Sequence, residues 1–125
     1  MAVPSDRVYS ESHEWYKLEG GTMTLGLTQF AVDQLTDVTY VEIKAVGTKI
    51  TAGGAVGEVE SVKTTSDIFS AAPGEIIEVN KAVVDDPSLV NQDPYGKGWL
   101  AKVKVTDPAP LQGLMDAATY GKQYA

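Results

Sequence analysis

Glycine and proline interrupt this chain so often that no long helix can run through it: twelve glycines and six prolines punctuate 125 residues. Short apolar runs between such turn residues read as strands, because strand side chains alternate faces and need only a few positions to cover one side of a core. Residues 13–18 and 22–27 flank Glu19-Gly20-Gly21, where adjacent glycines accept positive φ without steric cost, so an antiparallel hairpin is expected there. Further strands are expected over residues 40–43, after the turn Val46-Gly47-Thr48, over 55–62, at 68–69, over 76–79 and over 99–105. Thr28 can cap a short helix with Ala31, Leu35 and Val38 as a narrow apolar stripe. Residues 85–98 read as an ordered surface loop with one helical turn. Asp107-Pro108 offers an N-cap with proline in the first turn. The helical spacing of Leu111, Leu114, Met115 and Ala118 then predicts a C-terminal helix.

This length suits a single domain, residues 1–125, burying about two-thirds of its unfolded surface. Ten basic against seventeen acidic residues give a net charge of −7, which disfavours phosphate backbones and anionic lipid. Nucleic-acid and membrane-surface partners are therefore not expected. Cysteine is absent and His13 is the one histidine, which removes thiolate nucleophiles, Cys-ligated metal sites and multi-histidine sites. No apolar stretch resembles a signal peptide or a membrane span, so a cytoplasmic protein is expected, with the mitochondrial matrix open only if a transit peptide has been removed.

Candidate chemistry is sparse. His13 beside Glu14 suggests an acid–base pair, but neighbours on a strand face opposite ways, so a structural histidine is the simpler reading. Asp33 and Asp37 lack a third ligand in register, and the glycines of residues 53–57 lack the Gly-Lys-Ser/Thr ending of a phosphate cradle. Lys63 stands apart. It is expected near the tip of a tight hairpin and is the one cation among Glu58, Glu60, Asp67, Glu75 and Glu78. Acidic neighbours keep a lysine protonated, the opposite of what a Schiff-base nucleophile needs. By itself such a residue reads as a solvated charge. An exposed lysine on a stiff hairpin also suits enzymatic acylation, which needs access and a fixed backbone shape.

The segment Gly57-Glu58-Val59-Glu60-Ser61-Val62-Lys63-Thr64-Thr65-Ser66-Asp67 resembles the lipoyl-lysine hairpin of the glycine cleavage system H proteins, and Gly74-Glu75-Ile76-Ile77-Glu78-Val79-Asn80 resembles the strand that follows it. Ser12-His13-Glu14-Trp15, Gly26-Leu27-Thr28, residues 37–43 and residues 91–99 are similar to other recurring segments of that family, in its order. One departure is visible: where the family commonly has Ser-Pro, Ser70-Ala71-Ala72 delays the proline to Pro73.

The resemblance implies a mainly β fold, the lipoyl/biotinyl-type β sandwich or barrel-sandwich hybrid, with a short internal helix and a C-terminal helix. It implies lipoate in amide linkage on Lys63, with Glu60 and Gly74 recognised by the lipoyl-attaching enzyme. It implies a monomeric carrier with no turnover of its own. Such a carrier takes the aminomethyl group of glycine from a pyridoxal-phosphate glycine decarboxylase to a tetrahydrofolate-dependent aminomethyltransferase. Electrons pass to dihydrolipoamide dehydrogenase, which uses FAD and NAD. By family position, Ser12, Glu14 and Asp67 would line the cleft that shelters the loaded arm, with Glu14 and Asp67 receiving its ammonium. The alternatives are a biotinyl carrier, whose lysine is usually flanked by methionines where this chain has Val62 and Thr64, and an unmodified binding or regulatory module of the same fold.

Overall fold

The computed structural model describes residues 3–124. In chain order the strands are β1 (Val8–Tyr9), β2 (Glu14–Glu19), β3 (Thr22–Leu27), β4 (Val38–Ile43), β5 (Lys49–Ile50), β6 (Ala55–Ser61), β7 (Thr65–Phe69), β8 (Gly74–Val79) and β9 (Ala101–Val105). The helices are α1 (Gln29–Leu35), α2 (Lys81–Asp85), α3 (Ser88–Gln92) and α4 (Ala117–Tyr124), with a 3-10 turn over Ala109–Gly113. One sheet has six strands in the order β1-β2-β3-β9-β8-β5 and the other three in the order β4-β6-β7, every pairing antiparallel. The expected β sandwich is the observed architecture.

The alternation read from sequence sets the core. Met23, Leu25 and Leu27 of β3, Ile76 of β8 and Val103 of β9 face Val41, Val56, Val59 and Ile68 of the smaller sheet, all buried. Burial of side chains this size, at about 1.5–3 kcal/mol each, is the main force holding the two sheets together. A second cluster lies on Tyr9, Trp15 and Tyr120, with Met115 and Tyr124 packed against it. Trp15 lies flat over Gly26, where a Cβ would come within 2.7 Å of the indole.

The Gly20-Gly21 turn has φ of 56° and 87°, as the hairpin between β2 and β3 requires. Two expectations need correction. Val38 belongs to β4, because α1 stops at Leu35 where Thr36 takes φ 62° and donates its N–H to the Val32 carbonyl. Asn91 holds this break from outside, donating to the Thr36 carbonyl and accepting from Val38 N–H. Residues 85–98 form a loop with one short helix, α3, after Pro87, and α2, capped by the Asn80 side chain, ends at Asp85 as they begin. The C-terminal helix begins at Ala117 and not after Asp107, since Leu111 closes a 3-10 turn and Met115 pairs with Tyr9 as an isolated bridge.

Candidate functional site

Ser61 ends β6, and its Oγ accepts the backbone N–H groups of Lys63 at 3.1 Å and Thr64 at 3.0 Å. The Ser61 N–H also donates to the Thr64 carbonyl at 2.8 Å, closing the turn. Val62 N–H is taken by the Asp37 carbonyl at 3.1 Å, which anchors the tip to the chain leading into β4. Lys63 is thus exposed while its backbone is held by hydrogen bonds. No acidic side chain lies within ion-pairing distance of its ammonium among the described residues.

Beside the hairpin lies a cleft of about 340 Å³. One wall is the hairpin itself, with Lys63, Thr64, Ser66 and Asp67. The second is the end of β3 and α1, with Leu27, Ala31, Gln34 and Leu35, and Ser12 and His13 close the third side. Thr28 builds the second wall by capping α1, its Oγ1 accepting from Ala31 N–H. The cleft is apolar at Leu27, Ala31 and Leu35 and polar at Ser12, Gln34, Ser66 and Asp67, a lining suited to a flexible aliphatic arm with a polar end.

The structure brings Ser12 and Asp67 to this cleft and sets Glu14 behind it. Glu14 is fully buried. Its Oε1 accepts from Ser10 Oγ at 2.6 Å and from Ser12 Oγ, with Tyr16 OH 3.4 Å away, and its Oε2 accepts Phe69 N–H at 3.1 Å. Glu14 therefore faces the cleft only through the Ser12 hydroxyl.

Contrary to the expectation from sequence, His13 lies outside the strand that begins at Glu14. It takes φ 69° at the end of a turn in which its N–H donates to the Ser10 carbonyl. Its ring is packed against Phe30 and Tyr124, with centroids 4.5 and 4.7 Å away, and its Nδ1 lies 2.9 Å from Tyr120 OH. Burial lowers its pKa below the ordinary histidine value, and the neighbouring Glu14 carboxyl offsets part of that. Of the apolar stripe expected at Ala31, Leu35 and Val38, the first two line the second cleft wall; no local signal marks Tyr120.

Glu60 is half-buried on β6 opposite Thr65. Gly74 is buried where β8 meets β9, and a Cβ there would stand 2.2 Å from the Lys104 carbonyl oxygen and 2.7 Å from Val103 Cγ1. The delayed proline does not loosen the turn before it: Ser70 Oγ donates to the Ala72 carbonyl at 2.6 Å, and Thr106 N–H donates to the Pro73 carbonyl. Around the hairpin, Glu42, Glu58 and Asp67 stand side by side across β4, β6 and β7. Like charges in register cost stability, so this row is not there to hold the sheet together.

Residues 7–125 match the family model described as Glycine cleavage H-protein. The chain belongs to the glycine cleavage H-protein family. Among its H-protein relatives, the glycine cleavage system H protein of Marinobacter nauticus is 47% identical over 124 residues, covering 98% of this chain and 95% of the relative. That of Thermus thermophilus is 50% identical over 120 residues, covering 96% and 94%. The crystal structure of a glycine cleavage system H protein from Mycobacterium marinum superposes with a TM-score of 0.88 at 42% identity, over 97% of this chain and 98% of that one. H-protein membership makes this chain a component of glycine cleavage that works with the system's other components. No described helix is long and apolar enough to cross a membrane.

Proposed function

We propose that this H-family chain carries its lipoyl group on Lys63 and shelters the arm in the cleft beside the hairpin. The observation that carries the assignment is the Ser61-held turn: it presents Lys63 to solvent on a fixed backbone and opens directly onto a cleft of matching chemistry. The lipoyl group supplies a dithiolane that takes up the one-carbon amine of glycine and two electrons. This chain's residues supply the rest. Ser61 fixes the attachment point, Leu27, Ala31 and Leu35 exclude water along the arm, and Asp67 and Ser12 offer acceptors to a protonated amine. Glu14 supports that end of the cleft by fixing the Ser12 hydroxyl.

In this reading the chain has no turnover of its own and visits in turn the decarboxylase, the aminomethyltransferase and dihydrolipoamide dehydrogenase. Tethering keeps the cargo at high effective concentration at each. Glu60 and Gly74 serve the attaching enzyme in different ways. Glu60 offers a carboxylate three residues before the lysine, and Gly74 acts by letting β8 approach β9. The acidic row of Glu42, Glu58 and Asp67 favours partners with basic surfaces around their active-site mouths.

Intact mass after incubation with a lipoate ligase, and separately with a biotin ligase, tests the assignment. One lipoyl increment that vanishes in Lys63→Ala is expected. A biotin increment, or no increment, would overturn it.

A further inference from the structure

A buried hydroxyl outside the cleft joins two of its walls. Tyr120 lies in α4, a helix that contributes no side chain to the cleft, and it is fully buried. Its OH stands 2.9 Å from His13 Nδ1 and 2.7 Å from Thr28 Oγ1. His13 lines the cleft directly. Thr28 acts on it through α1, because it caps the helix that presents Ala31, Gln34 and Leu35.

The tyrosine is rigidly placed for this. Its ring stacks on Tyr9 at 4.8 Å, and its N–H donates to the Asp116 carbonyl at 2.9 Å while Asp116 Oδ1 accepts Thr119 N–H at the start of α4. Its ring edge also meets the His13 ring, with centroids 5.9 Å apart, and its hydroxyl is the polar link to both walls.

We infer that Tyr120 is a positioning residue for the arm cleft: its hydroxyl pins the His13 side to the Thr28-capped helix, so the C-terminal helix sets the spacing of walls it does not itself line. The proton order is part of the same inference. Thr28 Oγ1 accepts from Ala31 N–H and gives its own proton to the Tyr120 oxygen, and Tyr120 gives its proton to His13 Nδ1. The imidazole then carries its proton on Nε2. Burial, which lowers the His13 pKa, favours the neutral ring that an acceptor nitrogen requires. The inference rests on the cleft being the arm's shelter.

Tyr120→Phe removes the hydroxyl and keeps the ring. Because His13 is the one histidine in the sequence, its imidazole ¹⁵N shifts can be read without assignment ambiguity in the protein before any arm is attached. In wild type a single neutral tautomer with the proton on Nε2 is expected, and in Tyr120→Phe a mixture. Lipoyl attachment at Lys63 is expected to stay at the wild-type rate. Release of formaldehyde from the aminomethyl-loaded protein is expected to quicken by about tenfold, the shift that loss of a buried hydrogen bond allows. Tyr9→Phe serves as the control, since Tyr9 OH bonds to the Pro4 carbonyl in the same ring stack and does not touch His13 or Thr28. It should keep both the wild-type tautomer and the wild-type lifetime.

An unchanged lifetime in Tyr120→Phe, or an equal loss in Tyr9→Phe, would overturn the inference. So would mixed tautomers in wild type, which needs no variant to fold. A wild-type protein that releases formaldehyde as fast as free aminomethyl-dihydrolipoamide would instead remove the shelter reading itself, and the inference with it.

Discussion

Glu14 Oε2 accepts the backbone N–H of Phe69 at 3.1 Å, so a fully buried carboxylate of the six-stranded sheet is bonded to the last residue of the lysine hairpin in the other sheet. Tyr16 reinforces the same junction, its OH donating to the Phe69 carbonyl at 2.5 Å. The two sheets are therefore joined by polar bonds at the base of the hairpin as well as by apolar packing between their faces. Glu14→Ala leaves Phe69 N–H and the Ser10 and Ser12 hydroxyls without their acceptor. A loss of about 2–4 kcal/mol in urea unfolding is expected, since each orphaned buried donor carries its own desolvation cost. The loaded arm should also hydrolyse faster. Wild-type stability would mean that the junction contributes nothing, and an unchanged hydrolysis rate would remove Glu14 from the cleft's chemistry.

Ser61→Ala removes the acceptor of Lys63 and Thr64 N–H groups that water can reach. Stability should fall by only about 0.5–1 kcal/mol, as for an exposed cap. The rate of lipoyl attachment should fall more than that stability loss explains, because the enzyme meets an unfixed turn. Progress curves followed by intact mass at equal folded fraction would decide it, and equal rates would count against recognition of a fixed turn.

Gly74→Ala forces a methyl against the Lys104 carbonyl, so β8 and β9 must part. Destabilisation of about 2–4 kcal/mol is expected from overpacking and broken ladder bonds. Slow lipoylation of this variant should recover when temperature is lowered to restore folding. If the variant is fully folded and still poorly lipoylated, Gly74 is read directly by the enzyme.

The His13 pKa is lowered in the folded state by burial. Between that value and the ordinary one, near 6.5, the unfolded chain binds more protons than the folded chain, so stability rises with pH. The His13 contribution is complete above about pH 7 and is lost as pH falls through the ordinary histidine range. Urea midpoints at pH 8 and pH 5 should therefore differ more in wild type than in His13→Gln. Equal differences would show that the imidazole titrates as if in water.

The acidic row of Glu42, Glu58 and Asp67 beside the hairpin predicts association slowed by salt. Stopped-flow on-rates with the aminomethyltransferase should fall as ionic strength rises, and less steeply in Glu42→Gln/Glu58→Gln. A flat profile in wild type would exclude electrostatic steering by this face.

Much of this architecture is local and was legible. The Gly20-Gly21 turn, the alternation along β3 and β9, the cap at Thr28 and the hairpin around Lys63 depend on φ, ψ and side-chain period over a few residues, which sequence carries directly. Helix ends were less legible. Val38 continues the apolar spacing of α1, but Asn91, more than fifty residues away, holds the break at Thr36. At the site, the sequence determined the exposed hairpin lysine and its acidic setting. Tertiary structure alone decided that Glu14 is enclosed by Ser10, Ser12, Tyr16 and Phe69, and that Tyr120 reaches both His13 and Thr28. The reason is physical: a hydrogen bond is satisfied by whichever groups the packed core brings within about 3 Å, and pairs brought together from distant parts of the chain leave no periodic mark on it.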